Sequence, residues 1–531
     1  MTRCSSPRRW WESLVVLLAV SQQAAPCGAQ LPAVAEPKPW PPASRDVEAL
    51  GAGWPTGQSQ PIGTMAPLPI QQLANLDLRT AVELADRRSP VVRQAYEQLV
   101  ATQNSLGAAY ASWWPTINAS LGGGLYGQTA FYNYTGALTG VGAPASGPYA
   151  NATSFNGSYF QSLNQFDLAW DLYDPARAPT IWQGKYTVRQ AVDTYVIARR
   201  DNKLRTEQAY IGLQRAMAQI MTGRQLVAND QLLLSLAQSR VRLGVASRLE
   251  LAKQQTVLKT DQVNLAVAQQ NAQVAQADLA EQINEANAAS IQAATVLEPL
   301  GRWVQPLEAT LAAAMQYRKV IEQKLMAVKI NEAQAQIALA VYRPTIALVN
   351  SLYWTKNVGY AALGPPYVSQ ARSDLWNGSA ALQITFTGFD GGQARMTAAA
   401  ALRKAKAAEA DVQVAVNQVR REVQTYFAQA QQGRDAVLLA SARVKAASDA
   451  LRLQTLRFNA GYGTITDVVQ AQQDLTQAVS AYIEQLGNYN IALVSLARAS
   501  GLSYQPDPDL QQQVGDPFAR LSLPSRLAKL N

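Results

Sequence analysis

Residues able to do chemistry are scarce here, and their types exclude more than they allow. None of the 531 residues is His, which removes the commonest general base and the commonest metal ligand. Ser-His-Asp hydrolysis and His-ligated zinc both need imidazole, so both are excluded. The two cysteines, Cys4 and Cys27, lie near the start, leaving no disulfide framework and no Cys-based zinc site for the body of the chain. No phosphate-binding Gly loop and no clustered acid pair is legible. The sequence therefore offers no catalytic set, no metal site and no cofactor site, and it is not expected to be an enzyme.

The composition points to packed structure. Apolar residues make up 48% and charged residues 16%, too apolar for a disordered chain. The net charge of +9 is spread out, with short clusters at Arg199-Arg200, Arg403 to Lys406 and Arg420-Arg421. Nucleic-acid proteins concentrate basic residues on one element, so these clusters read as solvated helix faces and no nucleic-acid partner is expected.

Residues 1–29 have the order of a secretory signal: Arg3, Arg8 and Arg9, a short apolar core from Leu14 to Val20, then Ala24-Ala25-Pro26-Cys27-Gly28-Ala29. That core is shorter than the about 20 apolar residues of a spanning helix. Cleavage after Ala29 leaves a mature chain without cysteine; alternatively Cys27 becomes a lipidated N-terminus, although Pro26 before it is unusual for that processing. Residues 30–72 follow as a Pro-rich linker, with nine prolines between 31 and 70.

The elements that position everything else come as one unit written twice. Leu78 to Pro115 matches Leu307 to Pro344 at a constant offset of 229. Each is a helical stretch stopped at proline, in Trp113-Trp114-Pro115-Thr116-Ile117 and Tyr342-Arg343-Pro344-Thr345-Ile346. A segment of two strands joined by a Gly/Asn/Tyr-rich loop follows each proline. Phe166, Leu168, Trp170 and Leu172 alternate on one face, as do Leu382, Ile384 and Phe386. Long helix then returns: Ala178 to Leu243 is 66 residues, about 100 Å at 1.5 Å per residue. Gly244 and Gly461 interrupt the long helices at matching positions offset by 217. The repeats are expected over 73–300 and 301–502, and a loosely ordered tail over 503–531.

A heptad runs through the second long helix of each repeat. Leu251, Leu258, Leu265, Ala272 and Leu279 recur every seven residues, and Val468, Leu475, Tyr482, Tyr489 and Leu496 repeat this at the offset of 217. Such a period keeps one seam against a neighbouring helix. Four strands per chain cannot close a bilayer barrel, which needs at least about 8, and open strand edges cannot be satisfied in lipid. Identical chains must then share a barrel, and three supply twelve strands. Tyr126, Tyr132, Tyr134, Trp170, Tyr173, Tyr353 and Trp354 suit the aromatic girdles of such a barrel.

From about residue 73 to 502 the chain resembles the TolC-like outer-membrane efflux protein family. The likeness rests on Leu76-Asp77-Leu78-Arg79-Thr80-Ala81-Val82-Glu83-Leu84-Ala85 with Ser89-Pro90, on the two proline stops, and on Leu172-Tyr173-Asp174 and Gly388-Phe389-Asp390-Gly391-Gly392. Its most specific motif is Leu456-Arg457-Phe458-Asn459-Ala460-Gly461-Tyr462-Gly463-Thr464-Ile465-Thr466-Asp467-Val468, with a weaker twin from Ser239 to Ser247. The resemblance implies a mainly α fold with a β-barrel section: a homotrimer with a twelve-stranded outer-membrane barrel in lipid and a long periplasmic α-helical barrel. It implies a passive exit duct for efflux or type I secretion, with a periplasmic adaptor and an inner-membrane transporter as partners.

The same resemblance puts Gly244, Ser247, Gly461, Gly463 and Thr464 at a periplasmic tip that docks the adaptor. It makes Asp467 a carboxylate of a ring at the pore constriction; the other reading of Asp467 is a cap on the first turn of its helix. Gln470 stands where the best-known member has a second carboxylate, Phe458 near where that member has a tyrosine, and Gly463 near an arginine. The pore is then expected to be held shut by other contacts, including Glu250, the first-repeat counterpart of Asp467. A coiled-coil structural or adhesive surface protein is the alternative; it leaves the duplicated strand pairs unexplained. Cargo stays open among small toxic molecules, metal ions and proteins.

Overall fold

The computed structural model describes residues 69–131, 154–244, 247–363, 371–460 and 462–515, all within one unit, Ala43–Asn531. The signal, the linker as far as residue 68, Cys27, Tyr132, Tyr134 and Gly461 lie outside the described residues.

A single turn, α1 (Ile70–Leu73), leads into α2 (Leu78–Arg88) and α3 (Pro90–Ala111). Asp77 caps α2 by accepting the Thr80 N–H at 3.1 Å. Pro90 separates α2 from α3 because proline is tolerated only in a first turn. The chain then runs β1 (Thr116–Phe131), β2 (Ser154–Tyr173), α4 (Arg177–Arg242) and α5 (Arg248–Ile283). The order returns as α6 (Leu307–Tyr317), α7 (Lys319–Ala340), β3 (Thr345–Leu363), β4 (Ala371–Thr385), α8 (Gln393–Asn459) and α9 (Ile465–Ser500), with a short α10 (Pro508–Val514) after it. Helix α4 has 66 residues and α8 has 67, about 100 Å each. No helix among the described residues is long and apolar enough to cross a membrane.

The strands form one antiparallel sheet in the order β1-β2-β3-β4. Its register sets Ile117 against Leu168, Ala119 against Phe166, Trp170 against Leu348 and Ile346 against Ile384. Since side chains alternate, these residues share one face with Leu121, Leu352, Trp354, Trp376 and Leu382. Asn118, Asp167, Ser351 and Ser379 line the other face in one register row. Among the described residues both outer strands, β1 and β4, leave an edge without a partner.

The helical core is unequal between the two repeats. Along α9 every heptad residue from Val468 through Leu475, Tyr482 and Tyr489 to Leu496 is buried. Along α5 only Leu258, Ala272 and Leu279 are buried, with Leu251 and Leu265 half-buried. The difference follows from neighbours: α9 lies against both α8 and α4, whereas α5 packs mainly on α4.

The tail is better ordered than the sequence suggests. Gln505 and Arg302 exchange backbone hydrogen bonds of 2.7 and 3.0 Å. Arg434 pairs with Asp507 at 3.0 Å, and Leu510 is fully buried. Through residue 515 the tail is therefore packed against the helices, not loose. Phe386, expected on the last strand, lies one residue beyond the end of β4.

Candidate functional site: an apolar sheet face and a helical tip

The first site is a sheet face that the described residues leave uncovered. Leu121, Phe166, Trp170, Leu382 and Ile384 are all exposed, Leu121 at 70% and Ile384 at 62%. From Ile384 to Trp376 the face spans nine residues, eight steps, about 20 Å at a tilt near 40°. Trp354 and Trp376 bound it, stacked with centroids 5.1 Å apart. The next residues of that face are charged, Lys356 opposite Asp374. Exposed Trp114 and Phe389 mark the other end. A band of this height between aromatic rims matches the lipid-facing surface of an outer-membrane barrel. Tyr353 is not part of the rim: it sits opposite Asn377 on the polar face, and its hydroxyl accepts the Asn377 side-chain N–H at 2.6 Å.

Where sheet meets helix, both repeats use an aromatic ring and an arginine. The Arg177 guanidinium lies 4.4 Å over the Trp113 ring and donates to the Asp171 carbonyl at 2.6 Å. In the second repeat Arg395 lies 5.9 Å over Tyr342, whose hydroxyl donates to Asp390 at 2.7 Å. Asp390 also accepts the Gly392 and Ala394 N–H groups, starting α8; Gly392 there has φ +89°, a region that favours glycine.

The other candidate lies at the opposite end of the helices, at the α4–α5 and α8–α9 turns. Gly244 has φ +74° with open space where a Cβ would be, so backbone conformation alone demands glycine. Ser247 accepts the Glu250 N–H at 3.2 Å and caps α5. Thr464 and Asp467 form the full reciprocal arrangement at the start of α9: Asp467 N–H donates to the Thr464 hydroxyl, and Thr464 N–H donates to Asp467 at 3.0 Å. The Thr464 backbone and hydroxyl hydrogen bonds hold the Asp467 carboxyl below its usual range. Asp467 is thus both ionised and exposed. The capping signature was legible as Ser/Thr followed three residues later by Glu/Asp.

The remaining tip residues separate into two groups. Gln470 is exposed and donates to Asp474 at 3.1 Å. Phe458 is buried, with the Arg240 guanidinium 4.4 Å from its ring, so it joins the end of α8 to the end of α4. Gly463 packs on the same helix end, where a Cβ would come within 3.1 Å of the Phe458 nitrogen. Leu243, Leu249 and Tyr462 leave apolar surface exposed around the turns, Tyr462 at 83%.

The sequence reading missed polar residues inside the helical core. Asp193 is buried beside Lys319 at 3.9 Å, and burial, with the Glu322 charge second, pushes it up to about 6. Asp230, Gln254, Asp261 and Gln472 are also buried together. A signal existed: Gln254 and Asp261 fall three residues after Leu251 and Leu258, at the second apolar position of the heptad. Among the described residues no group of three or more His, Cys, Asp or Glu could hold a metal.

An outward apolar band on an open sheet, continued by helices of this length, is the architecture of a channel protein of the outer membrane. The sequence model of the family described as Outer membrane efflux protein matches residues 81–285 and 311–502, and the chain belongs to that family. By structure it is similar to a membrane protein from Pseudomonas aeruginosa, at 20% identity and TM-score 0.64, covering 84% of this chain and 99% of that one. It is similar to the outer membrane protein VceC from Vibrio cholerae, at 19% identity and TM-score 0.61, covering 83% and 100%. The Campylobacter jejuni CmeC outer membrane channel matches at 16% identity and TM-score 0.64, covering 88% and 95%. These likenesses show the TolC-like channel fold. No curated protein matches the chain by sequence.

Proposed function

We propose that the chain is one third of a passive exit duct, a homotrimeric outer-membrane channel whose helices reach into the periplasm toward an adaptor and an inner-membrane pump. The observation that carries this is the open four-stranded sheet with one apolar, uncovered face. Unpaired strand edges cannot sit in hydrocarbon, so the free edge of β1 is met by the β4 edge of a neighbouring identical chain. Three sheets give a closed barrel whose polar face, with Asn118, Asp167, Ser351 and Ser379, lines the lumen.

The two turns at Gly244 and Gly463 form the periplasmic end and, with exposed Leu243, Leu249 and Tyr462, the docking surface for the adaptor. Asp467 and Gln470 stand at the constriction, where three Asp467 carboxylates form a ring that favours cations. Phe458 holds the closing end through packing on Arg240, and Glu250 through its backbone N–H, which Ser247 accepts. Transport without chemistry accounts for the absence of any catalytic set; cargo is selected by the pump.

Planar-bilayer recording of the purified protein tests this function. Discrete conductance steps are expected, small at rest because the tip is closed. A well-folded preparation that never conducts, and a deletion strain with unchanged efflux, would together refute the duct.

A further inference from the structure

Asp230 and Asp261 lie on neighbouring antiparallel helices, α4 and α5, at 1% and 8% exposure. Their carboxyls are within hydrogen-bonding reach of each other. Gln472 of α9 donates to Asp230 Oδ1 at 2.8 Å, and Gln254 of α5 donates to the Asp230 carbonyl at 3.5 Å. Asp230 Oδ2 is buried without any donor. On the Asp261 side, Asn264 donates at 3.1 Å. Among the strongest influences on Asp230, the ionisable one is Asp261. The nearby charges of these helices point outward: Lys253, Lys259 and Arg224 are exposed, and Asp474 is exposed and held by Gln470.

Two carboxyls in contact away from water and away from any cation cannot both be ionised. Either a proton or a bound cation must separate the oxygens. Gln472 donates to the Asp230 carboxyl and Gln254 to the Asp230 backbone carbonyl, and the Oε1 atoms of both glutamines are buried without a donor of their own. Position matters as well. Asp230 lies twelve residues before the end of α4 and Gln472 seven after the start of α9, roughly 18 and 11 Å from the tip. The second repeat has Ala471 and Ala478 where the first has Gln254 and Asp261. The polar cluster therefore belongs to the first hairpin alone and reaches across to the second through Gln472.

We propose that Asp230 keeps a proton at neutral pH and donates it to Asp261, and that this proton is a latch tying the α4–α5 hairpin to α9 just above the periplasmic tip. Raising the pH removes it, leaves two buried like charges and loosens the hairpin. In support, Asp230 is pushed up to about 8, by burial first and then by the Asp261 hydrogen bond and charge, against the hydrogen bonds of Gln472 and Gln254. The sign follows: the protonated pair favours the latched state, and that preference is lost as pH rises through the raised value. One proton changes the latched-to-loosened ratio by up to about tenfold per pH unit. The pair chemistry is independent of the channel function; the effect on opening rests on it.

Infrared spectroscopy of the detergent-solubilised full chain tests the proton directly. At about pH 7 the wild type should show the carbonyl stretch of a protonated carboxylic acid that Asp230→Asn lacks. That difference should vanish by about pH 10. Asp193 is common to both proteins and cancels. Asp261→Asn supplies a permanent N–H donor, so its conductance should not rise between neutral and alkaline pH, whereas the wild type's should. A wild type and Asp230→Asn without a difference band at neutral pH would overturn the retained proton. Loss of the band on adding calcium alone would overturn it in favour of a cation site. A band that titrates as expected while wild-type conductance stays flat would overturn the latch and leave the duct standing.

Discussion

Asp467 has two demands on one carboxylate. Its oxygen satisfies the Thr464 N–H at 3.0 Å, which caps α9, and its ionised form remains exposed. Capping and a pore ring are compatible, because a capping carboxylate keeps its charge. Asp467→Ala should weaken block of conductance by divalent cations, and titration of blocking ion against current checks it; unchanged block would leave Asp467 as a cap only. Asp193 gives a different test. Its folded-state value is raised to about 6 from 3.8, so it stabilises the fold fully below about pH 4, and that contribution falls away as pH rises through about 6. Relative to Asp193→Asn, the wild type should lose thermal stability over that window and stay level above it, as read by melting at several pH values. Parallel melting profiles would contradict the burial argument.

At the scale of elements, the two heptads look alike in sequence and differ in the fold. Leu475 is 2% exposed on α9, while Leu251 on α5 is half-buried. Leu475→Ala should cost about 2–5 kcal/mol and Leu251→Ala markedly less, measured by melting of each variant. Equal losses would mean that α5 is as well covered as α9. Helix lengths, strand pairs and proline stops were legible because each is written locally, in period, breaker and cap. The tail was not legible: its order comes from Arg302, Arg434 and Asp507, far apart in sequence. The same holds for Asp230 and Asp261, 31 residues apart, which become a pair only when α4 and α5 fold back on each other. Tyr353 was misread as a girdle residue because aromatic content says nothing of parity, and parity decides the face.

For the whole molecule, the decisive fact is incompleteness. Among the described residues, one chain carries a sheet with two unpaired edges, an apolar face left uncovered, and an α5 helix with exposed Val263, Val267 and Val274. Membership of the outer membrane efflux protein family and the TolC-like fold say where such a surface belongs. Closure by identical chains satisfies the backbone edges and gives the exposed valines a neighbour, while the apolar band faces lipid. A monomer leaves the edges and the valines without partners. The mass of the detergent-solubilised particle recovered from the outer-membrane fraction is the most direct measurement. Three chains per particle is the result expected of a shared barrel. A single chain would contradict it, because four strands cannot close in a bilayer.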